Sequence, residues 1–360
     1  MKNGLGTSLI ILMGLLSGCA LGFGQIIENP ATPIAKNAGR IVTMKEELRI
    51  EDTGTGYFFK NPGLIRVSPR GDVFFKDGPE QALQFDPEGR FVRNLCKKGQ
   101  GPGELSTILD TWASPDRIYL NGYPPKILSY DYEGNLVREL SLREGLLGGR
   151  FIWADPANML LYGASRPDPS GGTGFRDMPW DINEVEPEGS QKTLGTFPIR
   201  TFIEVEPGGA ISGTSWNQLQ VVALNGKSLF LNSTPEYLIE NFVRDKKGVV
   251  LRFRRPYTRQ KNRGGSPSAP EYLSDIYALH VIDGQLWVQT STVTAEEGIL
   301  FDVFDTKGRY IDSFYIQSMM KGEDGQPARI RMTIAGGYVY FKEETSDGLI
   351  VIRKCRLVGL

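Results

Sequence analysis

The chain has 360 residues, of which 40% are hydrophobic and 23% charged, near-average proportions that exclude long disorder, a fibrous repeat and a polytopic membrane protein. Its 41 Lys and Arg residues balance 42 Asp and Glu residues, so no overall positive field draws it to nucleic acid, which we do not expect as a partner. The chain has a single histidine, His280, which excludes a three-His zinc centre. Any Ser-His-Asp triad would have to use His280.

The first predicted element is a short apolar segment that ends at a cysteine. Leu5 to Leu16 spans about a dozen residues, whereas a membrane-spanning helix needs about 20. The segment therefore has the length of a signal-peptide core. It ends in Leu16-Ser17-Gly18-Cys19, which resembles the lipobox of bacterial lipoprotein signal peptides.

This resemblance implies a processed and lipidated N-terminus. Residues 1–18 would be the signal peptide, Cys19 would carry the acyl chains, and residues 19–39 would form a flexible tether. The protein would then be extracytoplasmic and lipid-anchored in a bacterial cell envelope, with the membrane as one partner. Because Ala20 stands where a retention signal would have Asp, the outer membrane or cell surface is favoured if the source has an outer membrane.

A tight-turn motif recurs along the rest of the chain. An acidic residue, two further residues and a glycine precede a β-rich run, starting at residues 86, 131, 186, 245 and 305. The glycine stands where a tight hairpin needs a positive φ, so each motif predicts a hairpin. A second recurring run, a turn followed by a hydrophobic strand, starts at residues 71, 116, 157, 225, 283 and 336.

The last repeat ends with the run that follows Gly348 and lacks a fourth strand. The alternating segment Arg40 to Ile50 precedes the first repeat and can supply that strand, which would close a ring and remove its edges. The pattern predicts an all-β domain over residues 40–360: a six-bladed ring of four-stranded antiparallel blades, completed by the N-terminal strand.

These repeats resemble the six-bladed β-propeller family related to NHL and TolB-type repeats. The most specific match is KKGQGPGEL, Lys97 to Leu105, which looks like the G-x-G-P-G-E segment of bacterial secreted and lipoprotein members. The resemblance covers about residues 40–358, although the middle repeats exceed the roughly 40 to 50 residues usual for a blade. Two separate β-sandwiches are the alternative fold.

Propeller topology predicts that one face carries short turns and the other carries the long loops. Long loops without secondary structure are usually functional or disordered, so we expect the binding surface there. Arginine with aromatic side chains favours recognition of a protein or glycan, although an anionic lipid or a phosphorylated or sulfated ligand remains an alternative. The candidates in two neighbouring loops are Arg166, Asp168, Arg176, Trp180, Tyr257, Arg259 and Lys261.

The function favoured by these features is a binding or scaffold module that needs no cofactor. The alternative is a metal-dependent hydrolase or lyase, because propellers of similar architecture include calcium-dependent lactonases. Asp110, Glu204 and Asp275, expected at the starts of innermost strands, would hold a divalent cation such as calcium at the channel mouth. No residue is assigned a catalytic role, and a sensor of a small molecule in the channel is a third reading.

Two cysteines remain beyond the lipobox. Cys96 and Cys355 are expected on adjacent blades, and an oxidising compartment would permit a disulfide between them. Outer strands splay apart, however, and a bridge needs Cα atoms within about 7 Å. Buried single thiols are therefore favoured, with pairing left open.

Overall fold

The computed structural model describes residues 26–52, 54, 56–142, 149–157, 159–164, 172–206, 211–214, 219–262, 270–317 and 329–360. Their regular structure is all β apart from one short 3-10 helix, Arg244–Lys246. No helix within these ranges is long and apolar enough to cross a membrane.

The strands are numbered in chain order and fall into five sheets. Two strands come first: β1 (Ile26–Glu28) and β2 (Arg40–Glu51). The first sheet consists of β3 (Pro62–Val67), β4 (Val73–Asp77), β5 (Gln81–Phe85) and β6 (Phe91–Asn94). The second consists of β7 (Thr107–Ala113), β8 (Ile118–Tyr123), β9 (Lys126–Tyr130) and β10 (Leu136–Ser141).

The third and fourth sheets have five strands each. The third consists of β11 (Arg150–Ala154), β12 (Met159–Ala164), β13 (Gly174–Val185), β14 (Gln191–Val205) and β15 (Ile211–Thr214). The fourth consists of β16 (Gln220–Asn225), β17 (Ser228–Asn232), β18 (Ile239–Val243) and β19 (Gly248–Arg254), with β1 parallel to β19 on its outer edge.

The fifth sheet has eight strands in the order β20-β21-β22-β23-β2-β26-β25-β24. Its remaining members are β20 (Ile276–Ile282), β21 (Gln285–Thr294), β22 (Gly298–Phe304), β23 (Tyr310–Ile316), β24 (Thr333–Ala335), β25 (Tyr338–Glu344) and β26 (Ile350–Val358).

Strand β2 joins both halves of this sheet. Its residues 40–42 pair parallel with residues 314–316 of β23, and its residues 43–51 pair antiparallel with β26. The prediction of six separate four-stranded blades is therefore wrong: the structure has four separate sheets and one eight-stranded sheet. The reason is the length of β2, because twelve residues suffice to bond two neighbours in succession.

The innermost strands β3, β7, β11, β16, β20 and β24 contact one another in that order, and β24 contacts β3. The sheets thus close around a common axis in a propeller-like arrangement. Apolar side chains fill the space between neighbouring sheets; Phe74 of β4, for example, packs with Leu120 and Leu128 of the second sheet. Burial of such side chains, at about 1.5–3 kcal/mol each, is what stabilises a ring of sheets.

The recurring glycines form hairpin turns that lie close against the preceding sheet. Gly89, Gly134, Gly189 and Gly308 all have positive φ between 76° and 91°, which confirms four of the predicted hairpin turns. A Cβ atom on Gly308 would lie 2.7 Å from the Phe253 ring on β19 of the preceding sheet. These positions therefore require glycine both for the turn and for the close approach of two sheets.

The turn at residues 245–248 departs from the pattern. The short helix Arg244–Lys246 precedes it, and Lys247, with φ 48°, takes the left-handed conformation in place of the glycine. Gly248 instead begins β19.

The second recurring run is confirmed at all six places. Each of the predicted hydrophobic runs forms one strand, and these strands are β4, β8, β12, β17, β21 and β25.

Residues 26–39, which the sequence assigned to the tether, are attached to the ring. Besides the pairing of β1, the Asn29 side-chain amide donates to the Gly308 carbonyl at 2.9 Å, and the Gly39 amide donates to the Ser313 carbonyl at 2.8 Å. A short segment without periodicity can bind along existing strand edges, and its composition does not reveal this. The predicted signal peptide, residues 1–18, and residues 19–25 of the predicted tether lie outside the described residues.

The motif Lys97–Leu105 forms a folded loop. The Leu105 amide donates to the Lys97 carbonyl at 2.9 Å, and the Glu104 carboxylate accepts from the Gly101 amide at 3.0 Å. The buried Lys126 ammonium donates to the Gly101 carbonyl at 2.7 Å and to Glu139 at 3.1 Å. The Lys126 ammonium thus links the motif to the second sheet.

Cys96 and Cys355 are buried and free, as favoured from the sequence. Burial raises the pKa of each thiol to about 11.

Candidate functional site

The predicted loop site is only partly described. Arg166 and Asp168 lie outside the described residues, as does the lipidation candidate Cys19. Arg176 and Trp180 do not lie in a loop: they belong to β13, a twelve-residue strand that pairs with β12 and β14. The glycines and prolines around them suggested a loop, but the pairing of β13 with the fifteen-residue β14 overrides that local signal.

Trp180 is part of the packing of the third sheet. Its ring stacks on Tyr162 with centroids 5.8 Å apart, and it packs against the cluster that contains Leu160 and Ile182. Arg176 donates to the Gly172 carbonyl within the same hairpin.

The second predicted loop, which follows β19, is held by internal bonds. The Tyr257 hydroxyl bonds Ser291 Oγ at 3.0 Å and Thr292 Oγ1 at 2.8 Å, and Arg259 pairs with Asp275 at 3.0 Å. Lys261 is exposed, and its backbone forms an isolated bridge with Tyr272. Tyr257 and Trp180 pack in different hydrophobic clusters.

The carboxylate of Asp110 sits on the innermost strand β7 and is completely buried. It accepts hydrogen bonds from the Thr111 and Phe151 amides, both at 2.8 Å, and pairs with Arg66 at 3.2 Å. Phe151 belongs to β11, so Asp110 joins the second sheet to the third. These donors occupy the oxygen atoms that a cation would need.

Asp275 plays a matching role between the fourth and fifth sheets. It directly precedes β20 and accepts from the Tyr237 amide at 2.9 Å and from Arg259 at 3.0 Å. Burial raises the pKa of this carboxyl, although Arg259 opposes that shift. Glu204 was expected on an innermost strand, but it is exposed and lies near the end of β14.

Within the described ranges, no group of three His, Cys, Asp or Glu side chains lies close enough together to hold a metal ion.

A buried ion pair that the sequence analysis missed lies between the fourth and fifth sheets. Arg255, after β19, donates to Asp302 of β22 at 2.6 and 2.8 Å, and the hydroxyls of Tyr237 and Tyr310 donate to the same carboxylate. Burial beside Asp302 raises the pKa of both tyrosines, so both remain protonated donors. The available signal was Asp302 itself, an acid inside the apolar run GILFDVF.

Half-buried aromatic side chains and His280 lie along the innermost strands. The Arg66 guanidinium sits 5.2 Å from the Trp112 ring, which lies 6.2 Å from Trp153 on the next sheet. His280 is on β20, the innermost strand expected for it, and burial lowers its pKa to about 4. The imidazole is therefore neutral at neutral pH.

A cavity of about 160 Å³ opens between the second and third sheets. It lies at the end of the ring that carries the β7–β8, β11–β12 and β13–β14 turns. Its lining is mainly apolar, with three charged side chains, and consists of Arg117, Tyr119, Ile127, Ser129, Val137, Arg138, Leu140, Asp155, Pro156, Met159 and Pro187.

Comparison with known proteins bears on the fold alone. No protein-family model matches the chain, and no curated protein matches it. A solved structure of a protein described as exported, from Bacteroides fragilis, aligns with 93% of this chain and 100% of its own, at 12% identity and a TM-score of 0.51. BamB from Moraxella catarrhalis aligns with 91% of this chain and 95% of its own, at 11% identity and a TM-score of 0.40. The ring of sheets, together with the likeness to the exported protein, shows an all-β protein of propeller-like architecture.

Proposed function

We propose that the protein is an extracytoplasmic binding module, held at a bacterial envelope membrane by a lipid on Cys19, that recognises a protein or glycan. One observation supports binding over metal-dependent chemistry. Asp110 and Asp275, the two central candidates for cation ligands, each bind an arginine and a backbone amide of a neighbouring sheet. Their carboxylates join neighbouring sheets, and exchanging these partners for a cation would leave the buried Phe151 and Tyr237 amides unsatisfied.

The location rests on the N-terminal sequence. The apolar segment followed by Leu16-Ser17-Gly18-Cys19 has the order that lipid attachment requires. Two or three acyl chains give a stable anchor, whereas a single chain gives marginal binding.

The binding surface is proposed at the face that carries the long loops. Among the described candidates there, Lys261 is exposed, while Tyr257 and Arg259 are engaged in bonds to neighbouring elements. Lys261 is thus the candidate whose side chain is best placed to reach a partner. Tyr257 and Arg259 would act by fixing the shape of the loop.

Metabolic labelling tests the anchor. Full-length protein expressed in a bacterial host with an alkynyl fatty acid should take up the label and sediment with membranes, whereas Cys19→Ala should do neither. Ala20→Ser, which keeps the cysteine, is the matched control and should be labelled normally. Unlabelled wild-type protein would refute the anchor.

Capture from the source membrane in mild detergent tests binding. The tagged full-length protein should retain a stoichiometric protein or glycan. Lys261→Glu should retain at least about fivefold less, which corresponds to about 1 kcal/mol. Lys246→Glu, an equal charge change on the exposed short helix, is the control and should retain the wild-type amount. Equal capture by both variants would remove Lys261 from the site, and no stoichiometric ligand for wild type would refute the function.

A further inference from the structure

The cavity between the second and third sheets has the size of a single small ligand. Its volume of about 160 Å³ is close to that of engineered apolar protein cavities, about 150 Å³, that bind benzene. Ile127, Leu140 and Met159 are all buried and provide an apolar floor. One ring or a short branched chain fits this space.

A bulge in β10 shapes the rim of the cavity. Pairing with β9 shifts by one residue between Leu136 and Arg138. Strict alternation would place Val137 and Arg138 on opposite faces, but the bulge allows both to line the cavity. Val137 is 48% exposed and lies at the entrance.

Two arginines and one aspartate line the rim of the cavity. Arg117 donates to the Asp116 carbonyl and Arg138 to the Pro187 carbonyl, and neither forms an ion pair with a carboxylate within the described part of the chain. The third charged residue, Asp155, already accepts from Trp153 Nε1 at 2.9 Å and from the Ala157 amide at 2.8 Å. Two guanidinium groups are therefore available to an anion.

A buried hydroxyl completes the polar side of the cavity. Tyr119 is 3% exposed, and its hydroxyl forms no hydrogen bond of normal geometry with the described residues. Ser114 lies near it, but Ser114 Oγ already accepts from the Arg117 amide at 3.1 Å. Burial raises the pKa of Tyr119 to about 12, which keeps the phenol protonated. An unsatisfied buried donor is costly, and a ligand oxygen would relieve that cost.

We propose that this cavity binds a small organic acid, whose single ring or short branched body rests on Ile127, Leu140 and Met159. The carboxylate meets Arg117 and Arg138 at the rim, and one of its oxygens accepts from the Tyr119 hydroxyl. The site goes beyond the proposed function, since it lies at the end of the ring opposite the long loops and does not depend on the partner bound there.

Calorimetric titration of the full-length protein with 3-phenylpropionate tests the site. We expect saturable binding with a dissociation constant below about 1 mM. The alcohol 3-phenylpropanol, which has the same body without the charge, should bind at least about tenfold more weakly, because a charge-assisted bond to arginine is lost. Equal binding of acid and alcohol would overturn the proposal.

Variants locate the bound acid. Arg138→Gln keeps a donor for the Pro187 carbonyl but removes the charge, and should weaken binding about tenfold. Val137→Trp should cover the entrance and abolish binding, whereas Val92→Trp, the same exchange at an exposed position of β6, should bind as wild type does. Wild-type affinity in Val137→Trp, or no binding by wild type, would overturn the proposal while leaving capture at the loop face unaffected.

Discussion

Arg255 donates two hydrogen bonds, at 2.6 and 2.8 Å, to one oxygen of Asp302 on the neighbouring sheet. The Arg255 side chain is 9% exposed and that of Asp302 is fully buried, so this pair joins the fourth and fifth sheets away from water. The rings of Tyr237, Tyr257 and Tyr310 surround the guanidinium at 5.0 to 5.3 Å. The network places the charged Asp302 carboxylate at the boundary between two sheets, and groups from both sheets donate hydrogen bonds to it.

Asp302→Asn should lower the free energy of unfolding by about 3–5 kcal/mol, because the buried Arg255 charge loses its counterion. Arg90→Ala is the matched control, since it removes an ion pair with Asp86 in which the arginine side chain is 74% exposed. That variant should lose no more than about 1 kcal/mol. Urea denaturation measures both, and equal losses would show that the Arg255–Asp302 pair contributes no more than a surface pair.

Gly308→Ala should be more destabilising than Gly348→Ala. Both glycines have positive φ, +76° and +80°, so both variants bear a left-handed backbone cost of about 1–2 kcal/mol. Only at Gly308 would the new Cβ meet the Phe253 ring, at 2.7 Å, because nothing lies within 4 Å of the Gly348 position. The difference in unfolding free energy between the variants reports the contact between sheets. Equal values would mean that the preceding sheet shifts without cost.

Cys96 and Cys355 should react slowly with a thiol reagent in the native protein at pH 8. Their raised pKa values, about 11, leave few thiolates, and both side chains are buried. In a Cys19→Ala variant two thiols remain, and both should react rapidly after denaturation. Fast reaction of a native thiol would contradict its burial, and denatured protein that yields no thiols without reductant would reveal a disulfide.

Stability should rise with pH between about 4 and 6.5 through His280. Its folded pKa is lowered to about 4 by burial, so over this window the unfolded chain binds the additional proton. The free energy of unfolding that is lost below the His280 pKa of the unfolded chain, 6.5, is regained as the pH rises through that value. His280→Phe should flatten the dependence between pH 5 and 6.5, where few carboxyls titrate. An unchanged slope in denaturant titrations at several pH values would contradict a buried neutral imidazole.

Local turns and individual strands could be predicted from the sequence. Gly89 and Gly308 were recognisable because a positive φ after an acidic residue has a strong residue preference. The pairing of strands that are far apart in the chain was harder to predict. The double pairing of β2 depends on where residues 40–42 meet β23, and alternation within β2 is the same whether it has one partner or two.

The candidate sites show the same limit. Arg176 and Trp180 lie in a segment whose glycine and proline content indicates a loop, yet pairing with β14 makes it a strand. The carboxylate of Asp110 was correctly expected on an innermost strand, but its partners Arg66 and Phe151 come from other sheets. The rim of the cavity depends on a bulge at Val137, and no residue preference in the sequence predicts that bulge.

Calcium titration of the EDTA-treated full-length protein, followed by calorimetry and thermal unfolding, most directly separates a binding module from a metal-dependent hydrolase. Because arginines and backbone amides occupy the carboxylates of Asp110 and Asp275, we expect no saturable heat and an unchanged Tm. Stoichiometric calcium binding that raises the Tm in wild type, and that is lost in Asp275→Asn, would contradict the structural role of these acids and favour the enzyme.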